Sequence, residues 1–141
     1  MIYRRSKARE VALQLLYRVD LNPSMTKEQV TDFITNRIND QASRDFALLL
    51  YQQTMRNLSG IDEMLVKSAE NWRLPRMAAV DRNLLRLGVF ELSYQKDTPS
   101  EVVMNESIEL AKRFGTAESP SFINGILDKI CSTERPKSEN A

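Results

Sequence analysis

Histidine is missing altogether from these 141 residues. The commonest general base, the usual partner of a catalytic nucleophile and the commonest nitrogen ligand for a metal are therefore excluded together. Cysteine occurs once, as Cys131, so no internal disulfide and no cysteine-built zinc site can form, and a reducing compartment is the natural setting. The four glycines stand singly, and neither G-x-x-x-x-G-K nor G-x-G-x-x-G is present, so the chain has no phosphate-cradling loop. Long apolar runs are missing too. None approaches the roughly 20 residues that span a bilayer, and Glu10, Gln14, Arg18 and Asp20 interrupt the segment behind the basic start where a signal peptide would be continuously apolar. A soluble, cytoplasmic protein without metal or cofactor is the expectation.

What remains for catalysis is carboxylates, lysines and hydroxyls. Glu91 is the most suspicious acid, because helical projection sets it amid Val80, Leu84 and Leu87. A buried carboxylate is generally paired, so a structural role with an arginine or a backbone donor outweighs a catalytic one. Cys131 ends an apolar face and reads as packing rather than as a nucleophile. The composition points away from an enzyme.

The residues that are plentiful describe helices. Hydrophobic residues at 42% and charged residues at 28% are ordinary for a globular chain, and the length suits one domain, here residues 1–131. No segment alternates like a strand. A first helix over about Ser6 to Val19 follows from Ala8, Ala12, Leu15, Leu16 and Val19 at three- and four-residue spacing, ended by the Leu21-Asn22-Pro23-Ser24 turn. Thr26 with Gln29 forms a capping-box pattern before Val30, Phe33, Ile34 and Ile38. A third helix starts near Ser43, carries Phe46, Leu49, Leu50, Met55 and Leu58, and stops at Gly60; a short fourth covers about Asp62 to Asn71. In NWRLPRMAAVDRNLLRLGVFELSYQ, Pro75 suits a first turn and apolar residues cover almost every direction, leaving Arg82, Arg86 and Ser93 as a narrow polar strip. That helix should be central, and Gly88 within it should mark a close helix crossing. A sixth helix reads from about Val102 to Phe114. Ser119-Pro120 opens a last one with Ile123, Ile126, Leu127 and Ile130 on one face. The polar end, 132–141, has nothing to bury and is expected to be disordered.

Charge is uneven. The net value is only +1, yet YRRSKAR sets Arg4, Arg5, Lys7 and Arg9 against no acid until Glu10, and the rest of the chain is net −3. These cations sit at the positive pole of the first helix, where each costs a few tenths of a kcal/mol to about 1 kcal/mol. An arginine-rich segment there can neutralise the phosphates of a nucleic acid; a merely solvated end explains the same pattern, and the pattern leaves both open. Leu13 and Tyr17, four residues apart, project away from the apolar stripe. They form either a docking surface for another protein or a face covered by a further helix of this chain.

The opening RRSKAREVALQLLY, the segment WRLPRMAAVDRNLLRLGVFEL at 72–92, NESIELAKRFG at 105–115 and FINGILDKI at 122–130 together resemble the NusB family of transcription antitermination factors. The resemblance covers nearly the whole chain. It implies an all-α fold of seven helices in two small bundles packed together, with no catalysis. It further implies binding of single-stranded boxA RNA together with NusE, a small-subunit ribosomal protein, within an antitermination complex on RNA polymerase, and in some members a homodimer when unpartnered. By position, Arg4, Arg5, Lys7 and Arg9 match the RNA-binding arm, and Glu118, Phe122 and Asn124 match the segment beside the RNA. On projection, Phe122 could also seal the core. Tyr17 and Asp81 match positions facing NusE, and Leu13 shares the face of Tyr17. One departure is Pro120-Ser121 before Phe122, where members often carry a lysine. Two other readings stay open: a helical adaptor without RNA contact, and the NusB-like module of an RNA methyltransferase, for which the glycine-rich cofactor domain is wanting.

Overall fold

The computed structural model describes residues 2–69 and 73–136, and side chains from Arg5 onward. Seven α-helices account for almost all of it: α1 (Ile2–Leu21), α2 (Lys27–Arg37), α3 (Gln41–Arg56), α4 (Leu58–Ser68), α5 (Ala79–Tyr94), α6 (Ser100–Phe114) and α7 (Ser119–Glu134). A 3₁₀ turn at Leu74–Arg76 precedes α5. The all-α expectation holds, and the chain divides into two compact units, residues 1–56 and 57–141.

In the first unit α1 packs along α3, with α2 closing the side. Ala8, Val11 and Leu15 of α1 meet Val30, Phe33, Ile34, Ile38 and Ala47, and Met25, Phe46, Leu48 and Tyr51 pack on the rim. Local chemistry starts and stops these helices. The capping box is complete: the Gln29 amide N–H donates to Thr26 Oγ1 at 3.1 Å, and the Thr26 N–H donates to Gln29 Oε1 at 2.8 Å. Asp40 Oδ2 accepts from the Ser43 N–H at 2.9 Å, so α3 begins at Gln41 rather than at Ser43. It ends at Arg56, four residues before the expected stop. The break falls at Asn57, whose φ of −104° and ψ of 16° leave the helical region, and Gly60 lies inside α4 instead of capping α3.

The second unit is built around α5, whose residues 83–85 and 87–92 are all buried among α4, α6 and α7. Its polar strip is a seam against α4 and the 3₁₀ turn. Arg86 forms a two-pronged ion pair with Asp62 of α4, at 2.9 Å and 3.0 Å. The Arg82 guanidinium donates to the carbonyls of Leu74 and Met77, and Ser93 Oγ donates to Met64 Sδ at 3.6 Å. Gly88 sits where a Cβ would lie 2.8 Å and 2.9 Å from the methyls of Leu127 and 3.4 Å from Ser107 Oγ, the close crossing that the sequence suggested. Pro75 belongs to the separate turn, not to the first turn of α5. Glu91 is 2% exposed and has partners, as expected of a structural acid.

The carboxyl end corrects one expectation. The segment from 132 is not idle: α7 runs to Glu134, and the Arg135 guanidinium donates five hydrogen bonds, to the carbonyls of Glu91, Leu92, Gln95 and Thr98 and to Ser100 Oγ, at 2.6–3.1 Å. Two of those carbonyls, Glu91 and Leu92, lie in the last turn of α5 and a third is that of its C-cap Gln95, whose own N–H donates to the Glu91 carbonyl at 3.1 Å. The remainder of the predicted tail, 137–141, lies outside the described residues. Because a charged donor is lost from several acceptors at once, Arg135→Ala is expected to lower stability by about 2 kcal/mol in urea denaturation, with the m-value unchanged.

Candidate nucleic-acid interface and partner surface

The basic segment is helical from its start. The first turn of α1 holds no acid, so nothing offsets the positive pole there. Arg5 is exposed, and its guanidinium lies 4.4 Å above the ring of Phe46 on α3, a cation–π contact that holds the side chain in place. Lys7 Nζ is 3.3 Å from Glu10 Oε2, with the lysine side chain 47% exposed. Such a pair is worth a few tenths of a kcal/mol and yields readily to a phosphate.

Arg9 does not belong to this exposed set. It is 2% exposed, 5.5 Å from the same Phe46 ring and partnered within the fold. Four residues beyond Arg5 it falls on the α3-facing side, beside Ala8 and Ala12, and the rotation of the helix turns its charge inward. The side chain of Arg4 lies outside the described residues. Among the described residues the arm thus keeps two accessible cations, Arg5 over the Phe46 ring and Lys7 about 200° around α1 from it. Phe46 read only as core in the sequence, since nothing local announces a contact between residues forty positions apart.

Leu13 corrects a second expectation. It is 2% exposed, because α1 is buried around nearly its whole circumference between Ala8 and Leu16. It belongs to the core and not to an exposed pair. Tyr17 is 37% exposed, and one turn further Leu21 is 59% exposed. The apolar surface on this face is thus Tyr17 with Leu21. Leu21, which the sequence places in the turn after the first helix, is instead the last residue of α1, four residues beyond Tyr17.

In the second unit Asp81, Glu118 and Phe122 come together. With Met77, Ala78, Arg76 and Ser119 they line a cleft of about 410 Å³. Asp81 lies in the first turn of α5, where a carboxylate complements the helix pole, and its buried Oδ1 finds no hydrogen-bond partner among the described residues. Glu118 directly precedes α7, and Thr116 Oγ1 donates to its Oε2 at 3.2 Å. The Thr116 N–H donates to Ser119 Oγ at 2.9 Å, so Ser119 tightens the 115–119 turn and is not the helix cap that the sequence suggested. Gly115 is required there: a Cβ would meet Ser119 Cβ at 2.6 Å and the Ala111 carbonyl at 2.9 Å. Phe122 is half-buried and forms one wall. Asn124, two residues on and roughly 200° around α7, is exposed away from the cleft. Arg76, unremarked in the sequence, places a cation in the cleft that Pro120 and Ser121 do not supply. Apolar walls and two carboxylates suit a group that brings N–H or O–H donors, such as a base edge or a partner's side chain, better than a phosphate.

The chain has known relatives. The family model described as NusB family matches residues 6–132. The transcription antitermination protein NusB of Trichlorobacter lovleyi is 38% identical over 137 residues, covering 96% of each chain. That of a Geobacter species is 43% identical over 142 residues, covering 94% of this chain and 97% of its own. Among solved structures, NusB of T. maritima superposes with a TM-score of 0.84 at 33% identity, covering 96% of each chain. A chain from a complex of the antitermination factors NusB and NusE with double-stranded RNA gives 0.86 at 28% identity, covering 94% of this chain and 99% of that one.

Proposed function

Since this chain belongs to the NusB family, we propose that it is a transcription antitermination factor, a cytoplasmic RNA-binding protein that works by holding partners together and not by catalysis. Its ligand is the boxA element of a nascent transcript, notably a ribosomal RNA leader. Its protein partner is of the NusE type, and the pair joins the antitermination complex on RNA polymerase. The observation that carries this reading is the start of α1, where Arg5 is held over Phe46 and Lys7 stands half-exposed at an uncompensated positive helix pole. Those features cost the helix stability and favour an incoming polyanion.

The roles divide by surface. Arg5 and Lys7, with Arg4, take RNA phosphates. Tyr17 and Leu21 give the protein partner an apolar footing. The cleft of Asp81, Glu118 and Phe122 receives donors, from bases at Phe122 and Glu118 and from the partner at Asp81. No helix among the described residues is long and apolar enough to cross a membrane.

The test is a fluorescence titration with single-stranded boxA RNA, a scrambled strand and the boxA sequence as a duplex, each with and without the NusE-type protein. Preferential binding of the single-stranded boxA, strengthened by the partner, is expected, because each surface raises the effective concentration of the other ligand. Indistinguishable curves for boxA and scrambled strands with the partner present would sink the sequence-specific role. Partner binding with no RNA binding at low salt would establish the adaptor reading instead.

A further inference from the structure

The cleft of Asp81, Glu118 and Phe122 contains one charged group to which the division of roles above gives no task. Arg76, exposed at the end of the 3₁₀ turn, lines it together with the two carboxylates. The three charged side chains share about 410 Å³, yet Arg76 makes no ion pair with Asp81 or Glu118 among the described residues. Short turns hold these charges in place. The Arg76 N–H donates to the Arg73 carbonyl at 2.9 Å and the Met77 N–H to the Leu74 carbonyl at 3.2 Å, and the Arg82 guanidinium fastens the Leu74 and Met77 carbonyls to α5. Glu118 sits in the turn that Ser119 closes on the Thr116 N–H, and Thr116 Oγ1 steadies one of its carboxylate oxygens. A ligand entering here has little backbone to order.

The charges sort the ligand classes. Two carboxylates repel a phosphodiester and an acidic side chain. A lysine or arginine side chain satisfies the carboxylates but brings no acceptor to Arg76. A neutral group with donors at one edge and acceptors at another uses all of them. Between a carboxamide side chain and a nucleobase, a volume in the range of small-molecule sites and the apolar wall of Phe122, Met77 and Ala78 fit the flat ring. Among the bases only guanine carries two adjacent donors, N1–H and the N2 amino group, beside two adjacent acceptors, O6 and N7. The donors match the two oxygens of one carboxylate, and the acceptors match the fork of one guanidinium.

We propose that this cleft is a guanine-selective subsite of the RNA surface, in which the Glu118 carboxylate accepts from N1–H and the N2 amino group, the Arg76 guanidinium donates to O6 and N7, and the ring packs on Phe122. It rests on the RNA-binding reading above and names the base that this part of the surface selects.

The test is a fluorescence titration of the full chain at low salt with single-stranded oligouridine carrying one central guanosine, and with the same strand carrying adenosine, inosine or 7-deazaguanosine in its place. Inosine lacks the N2 amino group and 7-deazaguanosine lacks N7. The guanosine strand should bind about tenfold more tightly than the adenosine strand and about threefold more tightly than either analogue. Glu118→Ala should abolish the preference over inosine and keep that over 7-deazaguanosine, and Arg76→Ala should do the reverse. Both side chains are exposed, so both variants should melt as the parent does, and a merely structural role would move the two preferences together.

Equal affinity for the guanosine and adenosine strands overturns the subsite, and leaves the proposed function standing as long as single-stranded boxA is still preferred to its scrambled control. Preferences unchanged in both variants would put guanine elsewhere on the molecule and also overturn it; if Arg76→Ala then weakens binding of the NusE-type protein, the cleft belongs to the protein partner. A parent that binds none of these strands, boxA included, removes the subsite and the proposed function together.

Discussion

Gly88→Val is expected to destabilise the protein by about 2–3 kcal/mol and to lower its melting temperature by roughly 8 °C. Even the first added carbon would fall 2.8 Å and 2.9 Å from the two methyls of Leu127, and 3.4 Å from Ser107 Oγ. Neither neighbour can yield at little cost. Leu127 is fully buried, and the Ser107 hydroxyl donates to the Val103 carbonyl at 2.8 Å inside α6. The two γ-carbons of valine enlarge the clash, while the gain in helix propensity over glycine is only about 0.5 kcal/mol. Gly88→Ala should lose less, because the propensity gain there is about 1 kcal/mol and one carbon fewer must be fitted. Combining Gly88→Val with Leu127→Ala should cost less than the two changes summed, since the cavity left by one accommodates the other. Urea denaturation of the four proteins measures this coupling. Strict additivity would mean that Gly88 and Leu127 are not in contact, and would contradict the crossing of α5 on α7.

That crossing was legible because glycine inside a helix is costly and α5 is apolar on nearly every side. The same local logic found the capping box at Thr26, the central position of α5 and the seven-helix order. It failed where the deciding contact is remote in sequence. Arg9 looked like one more cation in a run, and only the position of Phe46 on α3 shows that rotation brings it inside. For Leu13, off the apolar stripe, periodicity leaves a docking surface and a covered face equally open, and only the burial of α1 on almost all sides between Ala8 and Leu16 decides for the covered face. Arg135 sat in a polar end with no local reason for order, and its five acceptors lie thirty-five to forty-four residues back. Asp81, Glu118 and Phe122 were each picked out by resemblance to the family, but their meeting in one cleft, with Arg76 beside them, is a property of the packing of α5 and α7. Sequence patterning thus lays out the elements, while only the three-dimensional neighbours separate exposed cations such as Arg5 from the buried Arg9.

This separation has its largest consequence for the proposed RNA binding. Arg5→Glu combined with Lys7→Glu should weaken single-stranded boxA RNA binding by about a hundredfold at moderate salt and lower the slope of log K against log salt by about 1.4. In the proposed reading each reversal removes a phosphate contact; Lys7→Glu also exchanges the Lys7–Glu10 pair for two carboxylates one turn apart, and Arg5→Glu gives up the contact with the Phe46 ring. Those surface effects are about a few tenths of a kcal/mol each, so the melting temperature should fall by only a few degrees at most, which separates loss of binding from loss of fold. Arg9→Glu makes the contrast. It puts an acid where a guanidinium is 2% exposed beside Phe46, so it should damage stability as well as binding. Phe46→Leu leaves every cation in place but removes the ring beneath Arg5, and should weaken RNA binding severalfold with little change in the salt slope, because what is lost is positioning and not charge. A double reversal at Arg5 and Lys7 that binds boxA as the parent does would show that the RNA lies elsewhere on the molecule.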